Sequence, residues 1–516
     1  MIDYDNIKPA HRVVINSSIL YVKMIISVII VFFSTRLVLG ALGADDYGLY
    51  NLVAGVIAML SFLKSAIAVS TQRYLSYYQG KNDLELQKKI FINSVYLHIA
   101  IGAGLVIILE TVGLFLFDIE GLLRIDPDKI WEAKTIYHFM SATMFLTILS
   151  VPFSGTMNAH ENLLGIAIIE LVEVILRLAI ALALFFLVKS GKLIFYGLLT
   201  ASITVVTCIV SAIYCKIKYP ECESFFDKKY VQLPLLKELS SFAGWTLMGS
   251  FSGVAKSQGI AIILNHFMGT IANAAYGITN QVVGQLNYFT TTMFRAFNPQ
   301  IMKTEGADQR EKMVHLSMIG CKFGFFLLAF IAIPCLFEMP ALLDLWLKEV
   351  PDYTVMFCTM VLIATMVTQL TAGMQSAIMA SGRIKRYMIL VSSTKLLTLP
   401  TAYFLMKAGY QVICVFWGYI FFEAIAGIVI LYLSKIEVNL KINLFIKRVL
   451  LKESIPVLLT AIFCYALTKT INFELRWLIT IPSGMIFFVI IAYLAGLCED
   501  EKEIIDSMIK KFIKKG

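Results

Sequence analysis

The chain has 516 residues, 59% of them hydrophobic and only 15% charged, with a formal net charge of +9. Soluble domains carry about a quarter charged residues, so this composition excludes a soluble globular protein and points to an all-α polytopic membrane protein. A transmembrane barrel is excluded too, because its strands would alternate polar and apolar over about ten residues, and the apolar runs here are long and continuous.

A crossing needs about 20 apolar residues, and on that measure the sequence predicts about fourteen helices. They fall at 14–41, 48–70, 90–117, 132–157, 163–188, 192–216, 242–268, 272–298, 314–337, 353–379, 387–407, 411–433, 449–470 and 475–497. Lys8, His11 and Arg12 precede the first run. That run is too long for the apolar core of a signal peptide and many spans follow, so it reads as a transmembrane helix rather than a cleaved leader. With the N-terminus placed in the cytoplasm, and with Lys192, Lys216, Lys407, Lys452, Lys469 and Arg476 near span ends counted with the adjoining loops, 27 of the 44 Lys and Arg fall in inside segments and 8 in outside loops. This bias predicts cytoplasmic N- and C-termini and an even number of spans. It also accounts for the net charge without nucleic acid as a partner.

The longest inside loop between helices, 217–241, separates helices 6 and 7. The expected organisation is an N-terminal lobe over 1–225, a C-terminal lobe over 226–437, and two further helices with a basic tail over 438–516. A short internal repeat agrees. Tyr47-Gly48-x-x-Asn51-x-Val53-x-Gly55 matches Tyr276-Gly277-x-x-Asn280-x-Val282-x-Gly284 at an offset of 229, and Gly40 and Gly269 share that offset. Two six-helix lobes would then be parallel repeats about an axis along the membrane normal, with substrate held in a central cavity between them.

The helix over 272–298 carries the sharpest pattern. Asn273, Gly277, Asn280, Gly284, Asn287, Thr291, Phe294 and Asn298 follow steps of four and three, which keeps them on one face. Val282, Val283, Leu286, Phe289 and Met293 lie mostly off it. The preceding helix offers Gly249, Ser252, Lys256, Gly259, Ile263 and His266. A polar stripe in lipid is costly unless it faces other helices or water, so both helices are expected to line something wet.

Nine cations lie in spans: Lys23, Arg36, Lys64, Lys134, Arg177, Lys256, Arg295, Lys322 and Lys395. The clear span acids are Glu110, Glu170, Glu173 and Glu423. Arg36, Lys134 and Arg295 sit near expected helix ends and can snorkel to headgroups. Glu173 and Arg177 are spaced to pair on one helix, either as a neutralised packing pair or as a patch facing the cavity. Lys23 shares a stripe with Asn16, Ser27 and Ser34, and Lys256 is mid-span on a Gly/Ser face. Lys64 and Lys322 lie towards the cytoplasmic side, and Lys395 has no assigned role. The expected cavity set is thus Lys23, Lys64, Arg177, Lys256, Asn273, Asn280, Asn287, Arg295 and Lys322, with Glu170, Glu173 and Glu423 as candidates for coupling or charge pairing. A cation-rich lumen suits an anionic, phosphate-bearing ligand.

Gly253, Gly259, Gly269, Gly277 and Gly284 read as sites of close helix packing or bending, and Pro152, Pro334, Pro400 and Pro482 as kinks. The sequence contains no GxxxxGK[ST], HExxH or GxSxG, so neither nucleotide hydrolysis nor another enzymatic activity is indicated. The nine cysteines form no CxxC or Cys/His cluster, so no metal, cofactor or disulfide is expected.

Several segments together resemble the polysaccharide-exporting branch of the multidrug/oligosaccharidyl-lipid/polysaccharide (MOP) superfamily, in particular Wzx-type O-antigen flippases. They are 39–55 (LGALGADDYGLYNLVAG), 70–81 (STQRYLSYYQGK), 265–282 (NHFMGTIANAAYGITNQV), 296–303 (AFNPQIMK), 345–354 (LWLKEVPDYT) and 376–387 (SAIMASGRIKRY). The resemblance covers nearly all of helices 1–12. It implies fourteen helices in two lobes around a cavity, alternating access, and export of undecaprenyl-diphosphate-linked oligosaccharide for O-antigen or capsule. It also implies the lipid bilayer, a polymerase and other polysaccharide-assembly proteins as candidate partners. The family pattern often has Arg where this chain has Tyr276, so no substrate contact is carried over there. Two other readings remain open: a MATE-like cation-coupled drug or metabolite antiporter, which would need lumen acids, and a non-catalytic component of a polysaccharide assembly system.

Overall fold

A computed structural model describes residues 9–506 other than 59, 119–124, 348, 472, 474, 504 and 505. Lys8 and most of the expected basic C-terminal tail lie outside the described residues. The chain divides into two compact units, Asn16–Ser250 and Met1–Ile15 with Phe251–Gly516, here called the N-terminal and C-terminal units. Among the described residues there is helix and no strand.

The chain opens with α1 (Pro9–Ala58), α2 (Ser61–Gly80), α3 (Leu84–Asp118), α4 (Ile130–Leu149), α5 (Val151–Ala159), α6 (Leu163–Phe186) and α7 (Lys192–Lys218). There follow α8 (Leu233–Met268), α9 (Thr270–Gly306), α10 (Arg310–Phe337), α11 (Met339–Trp346), α12 (Thr354–Gln369), α13 (Ala372–Ser381) and α14 (Lys385–Leu396). The chain ends with α15 (Thr398–Lys407), α16 (Ile413–Val438), α17 (Ile442–Phe445), α18 (Leu451–Thr470) and α19 (Trp477–Ile491).

Among the described residues, ten helices are long and apolar enough to cross a membrane, or eleven if α12 and α13, bent by 44°, form one span. Three of the fourteen expected spans are missing from that set, each for a physical reason. Residues 48–70 are not one helix, because α1 ends at Ala58 and α2 begins at Ser61. The helix expected over 163–188 forms as α6, but Glu170, Glu173 and Arg177 load its middle with charge. The helix expected over 272–298 forms as α9, but its amides and hydroxyls make it too polar to qualify by composition.

Glycines at left-handed φ separate paired helices in both units. Gly43 (φ 80°, ψ 171°) breaks α1, and Gly269 (φ 81°, ψ −167°) divides α8 from α9. Only glycine adopts this conformation without strain. Gly40, matched to Gly269 by the sequence repeat, lies inside helix. The motif tyrosine therefore follows the break by four residues in one half and by seven in the other. Of the expected proline kinks, Pro152 follows the break between α4 and α5, and Pro400 follows the one between α14 and α15. Pro334 and Pro482 sit inside continuous helices.

Each unit has its own apolar core. In the N-terminal unit Ala133, Ile136, Tyr137, Ile148, Ala181 and Leu184 are buried together, and the Tyr137 hydroxyl donates to the Leu109 carbonyl at 2.5 Å. In the C-terminal unit Ala272, Ala275, Leu328, Ala332, Phe357 and Phe416 fill the centre. There α13 meets α10 so closely that a Cβ at Gly373 would fall 2.0 Å from the Ser317 carbonyl. Apolar side chains on the opposite faces stay exposed, as a protein solvated by lipid requires.

Candidate functional site

The C-terminal unit buries a charge cluster. Lys256 of α8 is 8% exposed and Glu423 of α16 is 3% exposed. The Lys256 ammonium donates to Glu423 Oε1 and lies 4.0 Å from the centroid of the Tyr419 ring. The other oxygen, Oε2, accepts from Thr368 of α12 at 2.9 Å and faces the Lys395 ammonium of α14 at 3.2 Å. Four helices thus place two cations and one anion at one point. Charge-assisted hydrogen bonds and a π face offset the desolvation of these ions. The cluster holds one more basic side chain than acidic.

The stripes on α8 and α9 part company. On α8, Ser252 and Lys256 are buried, and a Cβ at Gly259 would fall 2.6 Å from Leu399 of α15. From Ser252 to Gly259 that face is packed rather than open, while Gly249 and Ile263 are partly buried and His266 is exposed. On α9, Gly277, Asn280, Gly284 and Thr291 are exposed, with Asn273 and Asn287 partly buried. A Cβ at Gly277 or Gly284 would meet nothing within 4 Å, nor would one at Gly253. These three glycines do not serve close packing; of the five, Gly259 does, and Gly269 marks a bend. The stripe ends at Thr291. Beyond it Phe294 lies against Gly320 and Gly324 of α10, and Asn298 accepts from Ser376 of α13 at 2.8 Å. The opposite face, with Ala272, Ala275, Tyr276, Thr279 and Val283, is buried. Asn280, Thr291 and the two glycines of the α9 stripe are therefore open, with Asn273 and Asn287 partly so, while its apolar face holds the helix in the bundle.

The N-terminal unit has a looser counterpart. Lys23 of α1 pairs with Glu170 of α6 at 2.6 Å, with side-chain exposures of 12% and 30%. Arg177 pairs with Glu173 one turn away at 2.8 Å, with exposures of 40% and 34%. The rings of Tyr50 and Tyr196 pack with centroids 4.8 Å apart, and both tyrosines have the Arg177 charge as a neighbour.

The remaining predicted residues are dispersed. Lys64 is exposed on α2 and Arg295 is partly buried on α9. Because α9 continues to Gly306, Arg295 is about three turns from the helix end and not at a terminus. Lys322 of α10 has no exposed surface, and its ammonium is held by Glu501 at 2.7 and 2.9 Å. The structure does not bring it to the open stripe. Glu110 is partly exposed and paired with His138 at 2.7 Å. At least five of the nine span cations are therefore matched to carboxylates, so the sequence excess of nine to four overstates the free positive charge.

Comparison with known proteins adds the fold. No family model matches the sequence, and none of the curated proteins searched matches it. Solved structures do. The crystal structure of a MATE point mutant aligns with a TM-score of 0.70 at 13% identity, over 84% of this chain and 97% of the other. The fold is that of the MATE transporters. A MOP superfamily transporter from Pyrococcus furiosus, described as having a binding pocket of reverse polarity that suggests a different function, aligns at TM-score 0.69 and 13% identity, over 84% and 96% of the two chains. A point mutant of a Vibrio cholerae MATE transporter aligns at 0.69 and 17% identity, over 83% and 96%. These neighbours are transporters of the MOP superfamily.

Sequence reasoning missed Thr368, Tyr419 and the role of Lys395. Lys256 and Glu423 are 167 positions apart, and neither element carries a motif that announces the other. Tyr50 was missed as well, since it falls at an unmatched position of the repeated YGxxN segment, where the second copy has Thr279.

Proposed function

We propose that this chain is a membrane transporter whose substrate is a hydrophilic, anionic, lipid-linked molecule, best matched by an undecaprenyl-diphosphate-linked oligosaccharide. The observation that carries the reading is the open face of α9. A row of amides, a hydroxyl and glycines bare to 4 Å offers donors, acceptors and room to sugar hydroxyls, whereas lipid would penalise it. The extra basic side chain of the Lys256–Glu423–Lys395 cluster, with Lys23 and Arg177 as further candidates, suits the diphosphate. Lys64, Asn273, Asn287 and Arg295 stay in the proposed set; Lys322 enters only if it leaves Glu501. The MATE-like fold fits alternating access, with the protein in a bacterial inner membrane and both termini cytoplasmic. Deleting the gene and analysing undecaprenyl-linked intermediates and surface glycan tests this. Accumulated lipid-linked oligosaccharide with loss of surface glycan is expected, and an unchanged pattern of both would refute it.

A second reading, a cation-coupled drug or metabolite antiporter, is favoured by one observation. Glu170, Glu173 and Glu423 are all partly or wholly buried within their units, as acids that exchange a proton or metal cation would be. Altered drug susceptibility without a glycan defect on deletion selects it.

A further inference from the structure

The turn between α16 and α18 holds a cavity that the transport reading does not use. Its volume is about 600 Å³, and it is lined by Lys435, Leu440, Lys441, Ile442, Asn443, Leu444 and Lys447. Lys435 lies in the last turn of α16 and Lys441 immediately precedes α17. Lys447 sits in a single π-helical turn, Ile446–Leu450, that leads into α18. Such turns are rare and gather at functional sites. The chain reverses sharply here, helped by Asn439 at φ 59°, and the buried Leu440 anchors the turn.

Their lack of partners sets these lysines apart. Basic neighbours are engaged: Arg448 with Asp500 at 2.5 Å, Lys452 with the Ala495 carbonyl at 3.1 Å, and Arg383 with Glu437 at 3.7 Å. The nearby acids Glu437 and Asp500 are thus already claimed by arginines. Lys435, Lys441 and Lys447 are all exposed, and none of their ammonium groups has a carboxylate or hydrogen-bond partner among the described residues. Three like charges around one hollow repel each other, and an anion relieves that repulsion. The surroundings are also apolar. Tyr432 is 58% exposed, Ile436 44% and Leu444 40%. The cavity lies where two candidate spans, Ile413–Val438 and Ile442–Thr470, meet, which is a membrane–water boundary. The Lys/Arg bias places this turn on the cytoplasmic side, where anionic lipids concentrate.

We propose that this cavity binds the phosphate headgroup of an anionic membrane phospholipid, with the acyl chains lying along the exposed apolar side chains of α16 and α17. The shared chemistry is a phosphate ester, which a free phosphate could also supply. The exposed apolar rim at the bilayer edge favours the lipid. The volume lies in the range of small-ligand sites. The proposal shares no residue with the transport site, so either can fail alone.

The test uses the full-length protein in phosphatidylcholine nanodiscs, titrated with cardiolipin or phosphatidylglycerol and monitored by thermal stability. The triple variant Lys435→Gln/Lys441→Gln/Lys447→Gln is compared with a control of equal charge change, Lys189→Gln/Lys407→Gln/Lys469→Gln. The expected result is a saturable rise in melting temperature for the native protein and the control. The triple variant should bind roughly a hundredfold more weakly, from about fivefold per lysine. Inorganic pyrophosphate at matched phosphate concentration should not reproduce the rise. Equal responses in all three proteins, or equal losses in both variants, would overturn the site. A full response to pyrophosphate would overturn its assignment to lipid. If the triple variant melts early without lipid, Lys441→Glu alone carries the test, with the same expected direction.

Discussion

The two units solve the same problem, ionised groups inside an apolar bundle, in different ways. In the C-terminal unit, Glu423 is 3% exposed and is ringed by Lys256, Lys395 and Thr368 from three other helices. In the N-terminal unit, Glu170 and Glu173 sit one turn apart on a single helix, and each holds one cation with about a third of its side chain open. The first arrangement ties α8, α12, α14 and α16 together, so its ions are part of the packing. The second can lose a partner to water or to a ligand at little cost. The same residue types are a buried clasp in one unit, whereas in the other Glu173 and Arg177 are open and only Lys23 is as enclosed as Lys256.

The largest effect should come from cutting that clasp. Glu423→Ala strands the buried Lys256 and the partly buried Lys395 and should lower stability by about 3–5 kcal/mol, seen as a steep drop in detergent melting temperature and protein yield. Glu173→Ala, in the open pair, should cost less than about 1 kcal/mol. Similar losses for both would erase the contrast. A smaller loss, about 1.5–3 kcal/mol, is expected for Lys256→Met, because it removes one charged hydrogen bond but leaves Glu423 balanced by Lys395. If Lys256→Met melts lower than Glu423→Ala, the cluster is not an arrangement of two cations about one anion.

Glycine substitutions extend the comparison to packing. Gly373→Ala forces a Cβ to within 2.0 Å of the Ser317 carbonyl and should cost about 1–3 kcal/mol. Gly284→Ala meets open space and should gain about 0.5–1 kcal/mol from helix propensity. Thermal melts of the two variants give the signs, and a destabilised Gly284→Ala would mean that something packs on the α9 stripe. Orientation is checked separately by single cysteines at Asp126 and Lys228 in a cysteine-free background. An impermeant reagent on intact cells should label the first and not the second.

Much of the architecture was legible because lipid punishes polar backbone and rewards long apolar runs, so the spans declare themselves. The α9 face was legible for the same reason: amides spaced by seven drift only about 20° per repeat. Of the three expected spans that fell short, the one over 48–70 is broken between Ala58 and Ser61, whereas α6 and α9 form as helices but carry too much charge or too many amides to qualify. Gly43 was missed because a repeat aligned on YGxxN conceals a three-residue difference before the motif. The pairing of Lys256 with Glu423 was invisible for a different reason. A buried ion pair across helices leaves no local period, and counting span charges without partners made the chain look more cationic than it is.

Transport, on this reading, depends on the open amide stripe of α9 meeting a hydrophilic substrate. Asn280→Leu tests that most directly, with melting temperature and surface glycan measured on the same variant. Asn280 is exposed and its flanking glycines are uncovered, so Leu should leave stability unchanged or slightly raised while export of glycan falls or its composition changes. A variant that is destabilised, yet whose surviving protein exports glycan normally, would contradict the account.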